Sequence, residues 1–464
     1  MKRREFIITA AAAATGLMLR RETSAANSPT GKNRPNILFI MTDQQHAGMM
    51  SCTGNKWLKT PALDRLAASG IRFERAYACN PVCVPNRFSL QTGLMPSVIG
   101  MFQNSDSGRV SVTEAILQKS LGRLFHEAGY ETVYGGKVHL PGKMNDVQNL
   151  GYRNLTGDSR QGLADACAKF IKGQHSRPFF LFASFINPHD ICYMAINDFR
   201  RTKAKPPVGN TDSKTCEAVL DCARKAADIS TFVQENCPPL PTNHGVPKAE
   251  PECITHKYLN ARPFRAYVRE KWTQNQWRLH RWAYCRLTEM VDKKVGTLLD
   301  ALREAGLEDN TLIVFTSDHG DMDAAHKMEH KSVLYEESVR VPFIMSYKGV
   351  IPRGVVDDTH LVSNGLDLLP TLCDYAGIKI PAGRHGLSLR PLAQGKKAVP
   401  WRIYVVSESQ NARMLQTARF KYCIYDSGRH REQLIDLKND PGEMENLAEN
   451  PDFKKALDKH RLLL

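Results

Sequence analysis

The sequence has no long run of lysine and arginine, no zinc-finger spacing and no aromatic RNA-binding motif. A dedicated nucleic-acid module is therefore excluded. Beyond the first 26 residues no segment is apolar enough to cross a bilayer, which takes about 20 residues, so no stable membrane span is expected. No repeat or low-complexity stretch stands out. The cysteines at 216, 222, 237 and 253 lack paired Cys-x-x-Cys spacing, which argues against a zinc site there.

What remains is an ordinary globular composition, 42% apolar and 24% charged over 464 residues, with length for two or three domains. The formal net charge is +15. With nucleic acid set aside, that balance favours a small or polymeric anionic substrate. Lys2-Arg3-Arg4-Glu5-Phe6-Ile7 opens a short apolar run that ends near Leu19, and Ser24-Ala25-Ala26 offers a cleavage region. This pattern looks like a twin-arginine export signal over residues 1–26. A periplasmic or extracellular setting is oxidising, so some of the 12 cysteines should pair. Cys216, Cys222, Cys237 and Cys253 are the disulfide candidates.

Ile37-Leu38-Phe39-Ile40-Met41 is a fully apolar run, as suits a strand buried on both faces. Thr60-Pro61 opens a helix carrying Leu63, Leu66 and Ala67, and Gly70 stops it. Leu117, Leu121, Leu124, Phe125 and Ala128 mark a second helix. Strands follow at Thr132-Val133-Tyr134, Phe179 to Phe185 and Leu312 to Phe315, with a long helix bearing Leu287 to Leu302 between the last two. This alternation predicts a large, mostly parallel α/β sheet sandwiched by helices. The expected layout is a catalytic α/β domain over 34–390, broken by a polar insertion at about 195–270. A smaller α+β subdomain follows over 395–464.

Polar residues collect just past the strands. Asp43 and Gln44, Lys137 and His139, His189, and Asp318 and His319 each follow one, and ligands bind beyond the carboxyl ends of parallel strands. In Cys83-Val84-Pro85-Asn86-Arg87, Pro85 suits a first helical turn. That puts Cys83 at a helix N-terminus, where negative charge is favoured, with Arg87 one turn on along the same face.

The run Asn80-Pro81-Val82-Cys83-Val84-Pro85-Asn86-Arg87-Phe88-Ser89-Leu90-Gln91-Thr92-Gly93 resembles the signature of the type I, formylglycine-dependent sulfatases of the alkaline phosphatase superfamily. That family usually has Ser where Asn86 stands. Met41-Thr42-Asp43-Gln44, Gly136-Lys137-Val138-His139-Leu140, Asn187-Pro188-His189 and Ser317-Asp318-His319-Gly320-Asp321 resemble its other motifs in order. His326, Lys331, Tyr335 to Pro342 and Leu434 to Leu447 continue the match.

The resemblance implies the fold already predicted and a sulfuric ester hydrolase. Cys83 would be oxidised to formylglycine by the formylglycine-generating enzyme. Asp43, Gln44, Asp318, His319 and residue 83 would hold one divalent cation, calcium by family expectation. The hydrated aldehyde would attack sulfur, and His139 would be the base that releases sulfate from the enzyme. Arg87 and Lys137 would hold nucleophile and sulfate oxygens, and His189 and Lys331 would serve the leaving alcohol. His326 and Arg413 are substrate-binding candidates. The expected substrate is a sulfated carbohydrate, met by a groove with Lys203, Lys205, Trp272 and Trp277. The competing readings are a phosphonate monoester or phosphodiester hydrolase on the same fold, and a non-catalytic binder of sulfated glycan.

Overall fold

The computed structural model describes residues 34–396 and 399–464; the expected export segment lies outside them. In chain order the strands are β1 (Asn36–Asp43), β2 (Ile71–Phe73), β3 (Ala76–Tyr77), β4 (Glu131–Gly136), β5 (Arg153–Thr156), β6 (Phe179–Pro188) and β7 (Thr311–Ser317). They continue with β8 (Phe343–Ser346), β9 (Val355–Asp357) and β10 (Val362–Ser363). Eight of them form one sheet in the order β5-β4-β6-β1-β7-β8-β2-β9. Within it β8 alone runs antiparallel to its neighbours, so the sheet is mostly parallel, as the α/β pattern predicts.

β1 lies at the centre and every residue of it is buried. Its side chains alternate between two cores, as the pleat requires. Ile37, Phe39 and Met41 join Phe88, Phe125 and Leu369 on one face. Leu38 and Ile40 meet Leu63, Leu163, Val295 and Leu298 on the other. The last two belong to a 31-residue helix, Gln274–Glu304, opened by a capping box between Thr273 and Gln276.

Two expectations are corrected here, after one addition: the stretch at 195–270 carries helices Cys192–Thr202, Thr211–Arg224, Ile229–Asn236 and Pro263–Lys271. Trp272 and Trp277 do not line a groove. They pack edge to face at 4.8 Å inside the apolar cluster that these helices share with the long helix, while Lys203 and Lys205 are exposed. Nor do the cysteines pair: Cys216, Cys222, Cys237 and Cys253 are all free thiols. Cys216 and Cys237 are buried in that same cluster, Cys222 is exposed, and Cys253 belongs to a different one.

The chain closes with a four-stranded antiparallel sheet: β11 (Tyr404–Glu408), β12 (Ala412–Thr417), β13 (Phe420–Tyr425) and β14 (Glu432–Asp436). It is followed by the helix Lys454–Leu463. Inward residues Val405, Met414 and Cys423 pack on Tyr335 and Val339, which lie outside this sheet. Among the described residues no helix is long and apolar enough to cross a membrane.

Candidate active site

Because β1, β6 and β7 are parallel neighbours, their carboxyl ends open on one side of the sheet. β1 ends with Asp43, and Asp318 and His319 directly follow β7. Gly320 then passes so close to Glu337 that a Cβ would lie 1.9 Å from its carbonyl oxygen. Only glycine fits there. Beside β6, Gly136 has φ +91° and a Cβ on it would lie 2.1 Å from Ser184 O, which lets the chain turn sharply into Lys137.

Cys83 begins the helix Cys83–Thr92 after the extended Val82, and all ten helical residues are buried. Its Sγ lies 3.1 Å from His319 Nε2 and 3.7 Å from Asp43 Oδ1. One turn on, Arg87 donates from Nη2 to Asp43 Oδ2 and from Nε to Asp318 Oδ2, both at 2.8 Å. Its Nη1 donates to Lys137 O and Ser184 Oγ at 2.8 and 2.9 Å. Lys137 Nζ adds an ion pair to Asp43 Oδ2 at 2.6 Å. Asn86, where the resembling family has Ser, is fully used: Oδ1 accepts from Cys79 N, and Nδ2 donates to Asp318 O and Asn364 Oδ1.

These contacts set the charge states. Burial pushes Asp43 up, but Lys137, His189, Arg87 and Lys331 together hold it well below the usual range. Burial and the neighbouring Asp43 push Asp318 up to about 6, against His319 and Arg87. Burial and Asp43 oppose ionisation of Cys83, yet Lys331, Lys137 and His319 hold its thiol well below the ordinary value. Burial, Lys137 and Lys331 keep His189 neutral far below its normal titration. Lys331 stays charged despite its burial, held so by Cys83, Cys192, Asp43 and Asp318.

Ligand atoms of Asp43, Cys83, Asp318 and His319 all lie within 4.8 Å of one another. His319 Nδ1 faces Gly320 O at 2.9 Å, so the proton belongs there and the Nε2 lone pair is free to bind a cation. Two carboxylates and one such imidazole fit a hard divalent ion. Gln44 is engaged otherwise. Its Oε1 accepts from Lys331 Nζ and Cys192 Sγ, and its Nε2 donates to Asp321 Oδ2 at 2.6 Å.

The family model described as Sulfatase matches residues 35–378. The chain belongs to the sulfatase family, within the alkaline phosphatase superfamily. A second family model, described as N-sulphoglucosamine sulphohydrolase, C-terminal, matches residues 324–462 of this sulfatase. Delta 4,5-hexuronate-2-O-sulfatase of Bacteroides thetaiotaomicron is 31% identical to it over 459 residues, which cover 93% of this chain and 88% of that one. Arylsulfatase of Clostridium perfringens is 28% identical over 474 residues, 93% and 94% of the two chains. Among solved structures, a 2-O GAG sulfatase matches with a TM-score of 0.76 at 30% identity, over 93% of this chain and 91% of that one.

The remaining candidates of the sulfatase are not drawn into the Cys83 cluster. His139 is exposed with a left-handed backbone, φ 52°, and enters none of the contacts described. His326 is buried beneath the C-terminal sheet, stacked on Tyr335 at 4.0 Å and grouped with Glu337 and Glu443. Burial, Lys421 and Arg269 push it down to about 3. Arg413 lies 4.5 Å over the Phe102 ring and donates to Ser409 O. Ser184, Asp321 and Asn364 were missed as single residues. Only Asp321 carried a signal, as the last residue of the Asp318 motif.

Proposed function

We propose that this sulfatase releases sulfate from a sulfated carbohydrate, using residue 83 in its formylglycine form and one divalent cation. The observation that carries the reading is the Cys83 side chain, 3.1 Å from His319 Nε2 and 3.7 Å from Asp43 Oδ1, among Arg87, Lys137 and Lys331. The printed activities of the relatives support the sugar: one acts on a hexuronate 2-sulfate and another on N-acetylglucosamine 6-sulfate.

Asp43, Asp318, His319 and residue 83 hold the cation, which when bound supplies positive charge against sulfate oxygens. We take calcium as the ion. A formylglycine-generating enzyme, which must supply the oxidant, would convert the Cys83 CH2–SH to an aldehyde with loss of the sulfur as sulfide, and addition of water to that aldehyde would give the hydroxyl nucleophile. Arg87 spends its donors on Asp43, Asp318, Ser184 and Lys137 O, so it fixes the two carboxylates in place. Lys137 and Lys331 are the cations nearest the open side and bind the sulfate oxygens. His189 is half-buried, and its Nδ1 lacks a partner. It hydrogen-bonds the leaving oxygen, next to charged Lys331. Gln44 anchors Lys331 rather than the ion. His139 serves as the base for sulfate release by moving in from its exposed loop. Residues 34–390 make the catalytic body, 395–464 the subdomain that closes its cleft, and residues 1–26 direct export.

The test is the mass of the peptide around Cys83 in active protein, together with turnover of an aryl sulfate against an aryl phosphonate. Oxidised residue 83 and a strong sulfate preference are expected. An unmodified thiol in active protein overturns the nucleophile, and preference for the phosphonate by orders of magnitude overturns the reaction.

A further inference from the structure

A cleft of about 400 Å³ runs outward from Lys331 between the helical insertion and the C-terminal sheet. Its wall holds four cations, Lys257, Arg262, Arg265 and Lys331, and no aspartate or glutamate. The lining also holds amides, Gln103, Asn104, Gln410 and Asn411. Arg265 is pre-set: its guanidinium stacks 4.1 Å over the Tyr258 ring and its Nη1 donates to Tyr258 O at 3.2 Å. On the same helix Arg269 is paired with Glu250 at 2.9 Å. Among the described residues, neither Arg262 nor Arg265 has a carboxylate within ion-pair distance. Lys257 is already engaged, 2.7 Å from Asp426.

We propose that Arg265 and Arg262 bind a second anionic group on the sugar, a carboxylate or a further sulfate, while the scissile sulfate sits at Cys83. This rests on the sulfated-carbohydrate reading above. Among the described residues the Nη2 of this stacked guanidinium has no hydrogen-bond partner, and such a group matches a planar or tetrahedral oxyanion. Amides of the lining would meet the sugar hydroxyls. Arg262 and Arg265 are thus the part of the wall whose charge is left for the substrate.

The test uses matured full-length protein and two matched pairs: a sulfated uronate against its methyl ester, and a disulfated sugar against its monosulfated parent. Binding to the Cys83→Ala variant is measured by calorimetry, and turnover is measured on wild type. The charged member of at least one pair is expected to be favoured by about 10- to 100-fold; which pair shows it distinguishes carboxylate from sulfate. Arg265→Gln should collapse that ratio, Arg265→Lys should restore part of it, and Arg262→Gln, at an exposed position, should lower it without risk to folding. Lys203→Gln, outside the cleft, should leave it intact. A ratio near one in wild type, or an undiminished ratio in both arginine variants, overturns the proposal. Because the calorimetric arm needs no turnover, it decides the proposal even if no sulfate ester is hydrolysed, an outcome that overturns the parent reading instead.

Discussion

Two buried charge clusters in this fold are built to opposite ends. At the seam with the C-terminal sheet, Lys421 is wholly buried and lies 2.7 Å from both Glu336 and Glu443. Arg340 sits 3.2 Å from Glu336, and Leu334 O takes another Lys421 donor. Cations and carboxylates there are matched within the protein. Around Cys83 three cations, Arg87, Lys137 and Lys331, face two carboxylates, Asp43 and Asp318. Lys331 also lines the cleft. The seam satisfies its charges internally and serves cohesion. The Cys83 cluster leaves positive charge directed at an opening, as chemistry on an anion demands.

The comparison breaks most severely at the proposed nucleophile. Cys83→Ala should cut sulfate release by about 10³–10⁴-fold with little change in thermal midpoint, read by ion chromatography and calorimetry. At the seam the expected loss is in stability: Lys421→Met strands buried carboxylates and should cost about 3–5 kcal/mol in denaturant unfolding. If unfolding were unchanged, the seam would not be the cohesive cluster. Lys137→Met should lower kcat/KM by about 10²–10³-fold while the unfolding midpoint holds.

A smaller effect concerns pH. Burial, with Glu336 and Glu337 nearby, pushes Glu443 from 4.5 up to about 8 despite Lys421. A carboxyl raised in the folded state binds its proton more tightly there than when unfolded. It therefore contributes stability that is full below 4.5 and is lost as pH rises through about 8. Glu443→Gln should flatten that fall, seen in unfolding measured across the same window; an unchanged slope assigns the proton elsewhere. The smallest effect is expected at Arg413, which reaches the cleft through Phe102 and the Ser409 carbonyl. Arg413→Ala should cost less than about 1 kcal/mol in kcat/KM, and a larger loss would make it a direct ligand of substrate.

The sheet was legible because β1, β6 and β7 are continuous apolar runs, a pattern that only a strand covered on both faces requires. The residues that follow them were legible as a convergent set for the same topological reason. The helices at 192–271 were hidden by prolines and polar faces, and Trp272 and Trp277 looked like surface aromatics because their partners lie on separate helices. Gln44 was the hardest residue to read. Its place at a strand end is visible in sequence, but its engagement by Lys331, 287 residues away, is not. His326 shares a motif with Lys331, yet a tight left-handed turn, φ 54° at His326 itself, separates their destinations. The cationic wall escaped notice because Lys257, Arg262 and Arg265 only become neighbours of Asn411 once the terminal sheet folds back.

Cys83 is 1% exposed, held beneath the end of the central strand and against His319. On the formylglycine reading proposed above, an enzyme that modifies residue 83 must also grip the peptide around it, and all ten residues of that helix are buried, so conversion is expected before the chain folds.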